Sequence, residues 1–216
     1  LGQKWCLYEK GGDFRRWYGN KLHVVNWSPD ARQNYASHGG LTQQKFWKRQ
    51  GITWNAIALV YGFRLKTDDS EFSSVSPTLF MNDGSDPDMG VLAFLNSKAC
   101  GWLMNVLNPG LHALPGDVVK LPLKNFKNLE KIERCIEIAR YDLNAYEHSH
   151  DFQVNELCKS ENLMSSLDAT YFMWMTKQDN LMYELQEIEQ ENNKFFIVEL
   201  GLASVITTDV PVNQIT

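Results

Sequence analysis

The chain has 216 residues, 44% of them apolar and 12% aromatic, and a net charge of −5. That length suits one large domain or two small ones at about 150 residues per domain, and the apolar share is enough for a packed core. No run of about 18 apolar residues occurs, which excludes a membrane-spanning helix.

Lys4–Glu9 mixes aromatic and polar residues and reads as a strand, and Leu22–Trp27 reads as a second. Between them lies Lys10-Gly11-Gly12-Asp13-Phe14-Arg15-Arg16-Trp17-Tyr18-Gly19-Asn20. Its glycines permit positive φ or a close approach, and Gly19-Asn20 is a turn signal. The two strands form a plausible hairpin, broken by Ser28-Pro29-Asp30. Residues 28–42 read as a short helix and a loop closed by Gly39-Gly40. Thr42 then caps the run Gln43–Arg49. Gly51–Asn55 leads into an apolar, partly β-branched strand, Ala56–Leu65. Phe72–Met81 is strand-like around Ser76-Pro77. Asn82–Asp88 is an acidic turn without the glycine-then-glutamate spacing of an EF-hand loop. Met89–Leu107 carries apolar residues at helical spacing and stops at Asn108-Pro109-Gly110. Val118–Leu123 reads as an edge strand, because Pro122 has no N–H to give a ladder.

The character changes after residue 124. Leu129, Ile132, Ile136, Ala139, Leu143 and Tyr146 are spaced 3-4-3-4-3, and Leu167, Tyr171, Trp174, Gln178, Leu181, Leu185 and Ile188 are spaced 4-3-4-3-4-3. Two such seams favour an antiparallel helix pair, the second starting at a capping-box-like Ser165 with Asp168. Phe195–Ile197 and Asp209–Pro211 read as an extended tail. The expected fold class is α+β, divided into residues 1–124 and 125–216. The start at Leu1, without a leader pattern, reads as a piece cut from a longer protein.

Charge is uneven. Residues up to Lys66 hold eleven bases and three acids, a net +8; the rest hold ten bases and twenty-three acids, a net −13. A basic first third points to a polyanion-facing surface. Lys10, Arg15, Arg16, Lys45, Lys48 and Arg49 are candidate phosphate contacts, and Trp17, Tyr18, Trp47 and Trp54 interleave with them. The competing reading of Lys10–Asn20 is a hairpin turn, with the arginines in water and Trp17 and Tyr18 in a local core. Cys6, Cys100, Cys135 and Cys158 lack CxxC spacing, so they predict reduced thiols of a cytoplasmic protein rather than a zinc site. His148 and His150, two apart, do not share a helix face. There is no Walker loop and no dinucleotide fingerprint. No catalytic residue and no metal site are expected.

Lys10–Asn20 closely resembles the Lys-Gly-Gly-acidic/polar-Phe-Arg-Lys-Trp-Tyr-Gly-Asn signature of large adenine-specific DNA methyltransferases, those of BREX phage-defence systems and related type IIG restriction–modification enzymes. Arg16 stands where lysine is commoner, so the charge is kept. Gly51–Trp54 resembles their next signature. Leu92–Lys98, Leu107-Asn108-Pro109, Gly116–Val118 and Leu121–Leu123 resemble a third. Glu191–Ile197 and Asp209–Pro211 resemble the segment after the helices, although Leu200-Gly201-Leu202 replaces Tyr-Gly-Leu and Ala203-Ser204-Val205 replaces an acidic-leucine stretch. The family's S-adenosylmethionine site and Asn-Pro-Pro-Tyr loop lie upstream; Asn108-Pro109-Gly110-Leu111 lacks the second proline and the aromatic. The resemblance implies a target-recognition region, with a twisted mixed sheet and packed helices over 1–124 and a helical spacer with an extended tail over 125–216. It implies duplex DNA as partner, together with the protein's own methyltransferase domain and other defence-system proteins, and no cofactor in this chain beyond S-adenosylmethionine in the parent. Together with the residues, it points to Lys10, Arg15, Arg16, Trp17, Tyr18, Asn20, Lys45, Lys48, Arg49 and Trp54 as the DNA-binding set. The alternative is a docking module that reads no DNA, with the acidic helical half as its contact.

Overall fold

In a computed structural model the structure describes residues 4–123, 129–159 and 164–216. Strand β1 (Trp5–Glu9) pairs antiparallel with β2 (His23–Asn26), as the hairpin reading expects, and parallel with β5 (Ser70–Phe72). A second sheet has β3 (Gly51–Trp54) between β4 (Phe63–Lys66) and β6 (Thr78–Leu79), both antiparallel to it. The signature stretch leaves the hairpin and runs beside β4. Trp17 N donates to Phe63 O at 2.9 Å, and Leu65 N donates to Trp17 O at 2.8 Å.

Helix α1 (Pro29–Ser37) is capped by Ser28 and has proline in its first turn, where the missing N–H costs nothing. Four helices follow, namely α2 (Met89–Leu95), α3 (Lys98–Leu107), the single turn α4 (Pro115–Val118) and α5 (Leu129–Asn144). The last, α6 (Leu167–Glu199), is 33 residues long. The α+β class expected from the sequence is what forms. Helices α5 and α6 are antiparallel: Lys131 pairs with Glu191, Arg134 with Glu184 at 2.7 Å, and Lys177 sits over the Tyr141 ring at 4.3 Å. One hydrophobic cluster runs from Trp17, Ile52 and Phe63 through α2 and α3 to Ile132, Leu185 and Phe196, so both halves of the chain share it.

Several local expectations differ, among them the Thr42 cap, since the short helix Gln44–Phe46 starts at Gln43 with no side-chain cap. The helix expected over Met89–Leu107 is broken at Asn96. That side chain exchanges two 2.9 Å hydrogen bonds with the backbone of Phe63, and Ser97 starts a new helix by capping Cys100 N. Of Ala56–Leu65, only the end is strand; residues 55–62 form a loop that exposes Ile57, Leu59 and Val60. Val118–Leu123 is not a strand, because Pro115 opens a helical turn that ends at Val118. Phe195–Ile197 is helical, because the apolar spacing of α6 continues and buries Phe196 and Ile197. The α6 cap is Ser166, one residue later than read, and accepts from Ala169 N.

Candidate nucleic-acid interface

The expected DNA-binding residues separate into a framework and a surface. Glu189 of α6 organises the framework. Its carboxylate accepts from Arg16 Nη1 at 2.6 Å and from Trp17 Nε1 at 2.7 Å, and all three residues are buried. Burial pushes the Glu189 carboxyl up, and the Arg16 charge and the Trp17 N–H pull it back. Tyr18 is buried, with the cations of Lys21 and Arg140 at 5.0 and 4.7 Å from its ring. Asn20 is buried at φ 62°, in the left-handed region that asparagine tolerates, and donates to Asp13 O at 2.9 Å. Trp54 is buried and donates to Ala113 O at 2.8 Å. Arg15 is half-buried and paired with Asp142 at 2.8 Å. The glycine turn is fastened by Gly11 N donating to Ser76 Oγ at 3.1 Å, and by Asn55 Nδ2 donating to Gly12 O at 2.8 Å. Asn55 in turn accepts from Arg64, whose complete burial brings its pKa down to about 10.

The surface is elsewhere. Lys10, Lys45 and Lys48 are exposed and Arg49 is half-buried. Residues 41–50 and α1 form a ridge of aromatic rings and cations. Trp27 and Trp47 meet edge-on at 5.3 Å, and the Arg32 guanidinium lies over Trp47 at 5.0 Å. Phe46 stacks on Phe80 at 4.9 Å, Lys45 Nζ sits 4.9 Å from the Phe46 ring, and Arg49 lies 5.3 Å over Phe80. None of Arg32, Lys45, Lys48 and Arg49 has a carboxylate ion pair among the described residues. Arg49 Nη2 donates to Met81 O at 2.9 Å.

The ridge is held from beneath by buried charges. Lys66 Nζ donates to the carbonyls of Arg49 (2.8 Å), Thr67 (3.0 Å) and Ser70 (2.6 Å). Glu71 accepts from Lys48 N at 3.1 Å, which holds Lys48 at φ 51°. Burial lowers the Lys66 pKa, with Glu71 and Glu9 opposing, and raises that of Glu71, with Lys48 N–H and Lys66 opposing. These two residues fix the loop backbone while its side chains project outward. Sequence reasoning counted Arg32 among the bases without placing it in the site, and it missed Phe46 and Phe80. Only the pairing of β3 with β6 brings residue 80 beside residue 46.

Asn108, the one asparagine before a proline, is committed to structure. It donates to His112 O at 3.1 Å and Asp117 Oδ2 at 3.0 Å, and accepts from Gly110 N at 3.1 Å. It holds a turn, as the helix-stop reading expects.

No protein-family profile matches the chain. Over 220 residues it is 30% identical to the adenine-specific methyltransferase PglX of Lacticaseibacillus casei (strain Zhang), covering 95% of this chain and 18% of that protein. Over 201 residues it is 26% identical to the adenine-specific methyltransferase BrxX of Escherichia coli O9:H4 (strain HS), covering 92% of this chain and 16% of that protein. The chain thus spans less than a fifth of the length of these relatives. The chain is a homologue of a segment of that size in the adenine-specific methyltransferases PglX and BrxX.

Proposed function

We propose that this chain is the DNA target-recognition segment of a BREX-type adenine-specific methyltransferase. It binds duplex DNA and sets sequence choice, while S-adenosylmethionine and the Asn-Pro-Pro-Tyr chemistry reside in the catalytic portion, in a cytoplasmic enzyme. The observation that carries this reading is the ridge of Arg32, Lys45, Lys48 and Arg49. Its cations have no carboxylate ion pair among the described residues, and three of them, Arg32, Lys45 and Arg49, lie over rings at 4.9 to 5.3 Å. Phosphates take up such cations and release counterions, and ring-backed arginines present a fixed fork to a base edge or phosphate. Lys10 adds a fifth accessible base. Arg16, Trp17, Tyr18, Asn20 and Trp54 act as framework, and Arg15 ties the signature to α5 through Asp142.

The test is duplex-DNA binding followed by fluorescence anisotropy across a salt series. Each of Lys45→Ala, Lys48→Ala and Arg49→Ala reduces the slope of log K against log salt by about one unit. Arg15→Ala leaves the slope unchanged. Salt-independent binding, or three substitutions without effect on the slope, overturns the reading.

A further inference from the structure

The loop of residues 55–62 and the segment from α3 to Leu114 form one uncharged apolar face. Leu59 is 87% exposed, Val106 62%, Ile57 60% and Leu111 51%. No Asp, Glu, Lys or Arg occurs from Asn55 to Phe63 or from Ala99 to Gly116. The face is built rather than loose. Ala58 N donates to Leu111 O at 2.9 Å and Ala113 N donates to Ala56 O at 2.8 Å, while Ile57 and His112 form a bridge. Beside it lies a groove of about 530 Å³ lined by Leu59, Val60, Trp102 and Ile206; its bases are the ion-paired Arg16 and the half-buried Lys98.

We propose that this face docks the catalytic portion of the methyltransferase, the part that the relatives carry outside the matched segment. The inference rests on the chain working within such an enzyme, not on which of its residues meet DNA. Depletion of charge with exposed aliphatic and aromatic side chains is the composition of a protein interface core, and large exposed apolar patches mark such sites. A polyanion finds little to bind there, whereas the aromatic–cation ridge has four bases. The occupant is set by length: the matched segment is 18% of PglX, so most of such an enzyme lies outside it. A recognition segment needs a fixed orientation to the reacting base, because misplacement by about 1 Å costs orders of magnitude in rate. A hydrogen-bonded apolar face supplies that orientation where a tether does not.

The test is hydrogen exchange on this chain alone and on the intact methyltransferase with the segment in place. Peptides spanning 57–62 and 105–112 exchange at least tenfold more slowly in the intact enzyme. Leu59→Glu combined with Leu111→Glu removes that protection and lowers methylation. The pair leaves the melting temperature and DNA salt slope of the chain alone unchanged, so loss of docking is separate from loss of DNA binding. The wild-type comparison stands even where the variant enzyme fails to fold. Equal exchange rates in the two proteins overturn the proposal. So does protection in the chain alone that grows with its concentration, which would assign the face to a second copy. Protection confined to Phe172–Met175 of α6, with the two substitutions silent, overturns it in favour of that helix.

Discussion

Glu189 decides what the signature stretch does. Two donors from one loop meet its carboxylate, 172 and 173 residues away in sequence. Glu189→Ala leaves the buried Arg16 charge and the Trp17 N–H without their partner, and removing one partner of a buried ion pair costs about 3–5 kcal/mol. Glu189→Gln keeps an acceptor and costs less than the alanine change. Urea denaturation of the three proteins measures both; equal stability of the alanine variant and the parent would refute the clamp. The sequence showed that Lys10–Asn20 is special, since glycine pairs beside arginines and aromatics are a local signal. It did not show that Arg16 and Trp17 face inward. That depends on a glutamate in a distant helix, where Glu189 falls next to the seam position Ile188 and looks like any solvated acid. Only Lys10, at the start of the stretch, keeps an accessible charge with no carboxylate partner among the described residues. The hairpin-turn reading therefore holds for the turn and for the buried Trp17 and Tyr18, but not for the arginines, since Arg16 is buried and Arg15 is half-buried and ion-paired.

Asn96 divides one expected helix into two elements. Its amide matches the backbone donor and acceptor of Phe63 at 2.9 Å each, taking the place of a neighbouring strand. Asn96→Ala leaves the buried Phe63 N–H without its acceptor, at about 1–3 kcal/mol, while Phe63 O keeps the bond from Trp17 N. Gly101→Ala is the control, because nothing lies within 4 Å of a Cβ added there. It stabilises α3 by about 1 kcal/mol through helix propensity. Thermal melts should move in opposite directions for these two changes, and a neutral Asn96→Ala would assign the break to Ser97 capping alone. Periodicity and local pattern found β1, β2, α1, α5, α6 and the antiparallel seam, ran α2 and α3 together, missed α4, and took β3 only as the lead-in to a later strand. It missed the break at Asn96 because asparagine at a helical spacing gives no local warning. It overextended the strand before Phe63 because apolar residues on an exposed loop look like a buried run. Gly62 marks where that strand is free to begin: an added Cβ there would collide with the Arg15 carbonyl oxygen, so only glycine allows the two segments this close.

At the scale of the molecule, the net +8 of the first 66 residues is divided between interior and surface. Arg16, Lys21, Arg64 and Lys66 are buried, and acids are buried with them: Glu9 beside Lys21 and Arg64, Glu71 beside Lys66, and Glu189 against Arg16. Composition revealed the asymmetry but not this partition, since a count of charges carries no burial. The partition sets the acid response. Burial raises the carboxyls of Glu9, Glu71 and Glu189 despite their cationic neighbours. A raised folded-state pKa means that, between the two pKa values, the folded protein holds more protons than the unfolded chain, so stability rises as pH falls through the folded values towards the unfolded one of about 4.3. Glu184 is the opposite case. The hydrogen bond from Arg134 holds it below the usual carboxylate range. Its contribution is present above the unfolded pKa of about 4.3 and is lost as pH falls through the lower folded value. The pair is about two-fifths exposed and is screened by salt, so its share is the smaller one. The urea midpoint therefore rises as pH falls through the raised values of the buried carboxyls and declines below the unfolded carboxyl pKa of about 4.3. Glu184→Gln flattens only the acid limb, and Glu71→Gln only the neutral one. A midpoint that falls steadily from pH 7.5 downward would mean that the buried carboxylates stabilise the fold as ions, and would overturn the partition argued from their burial.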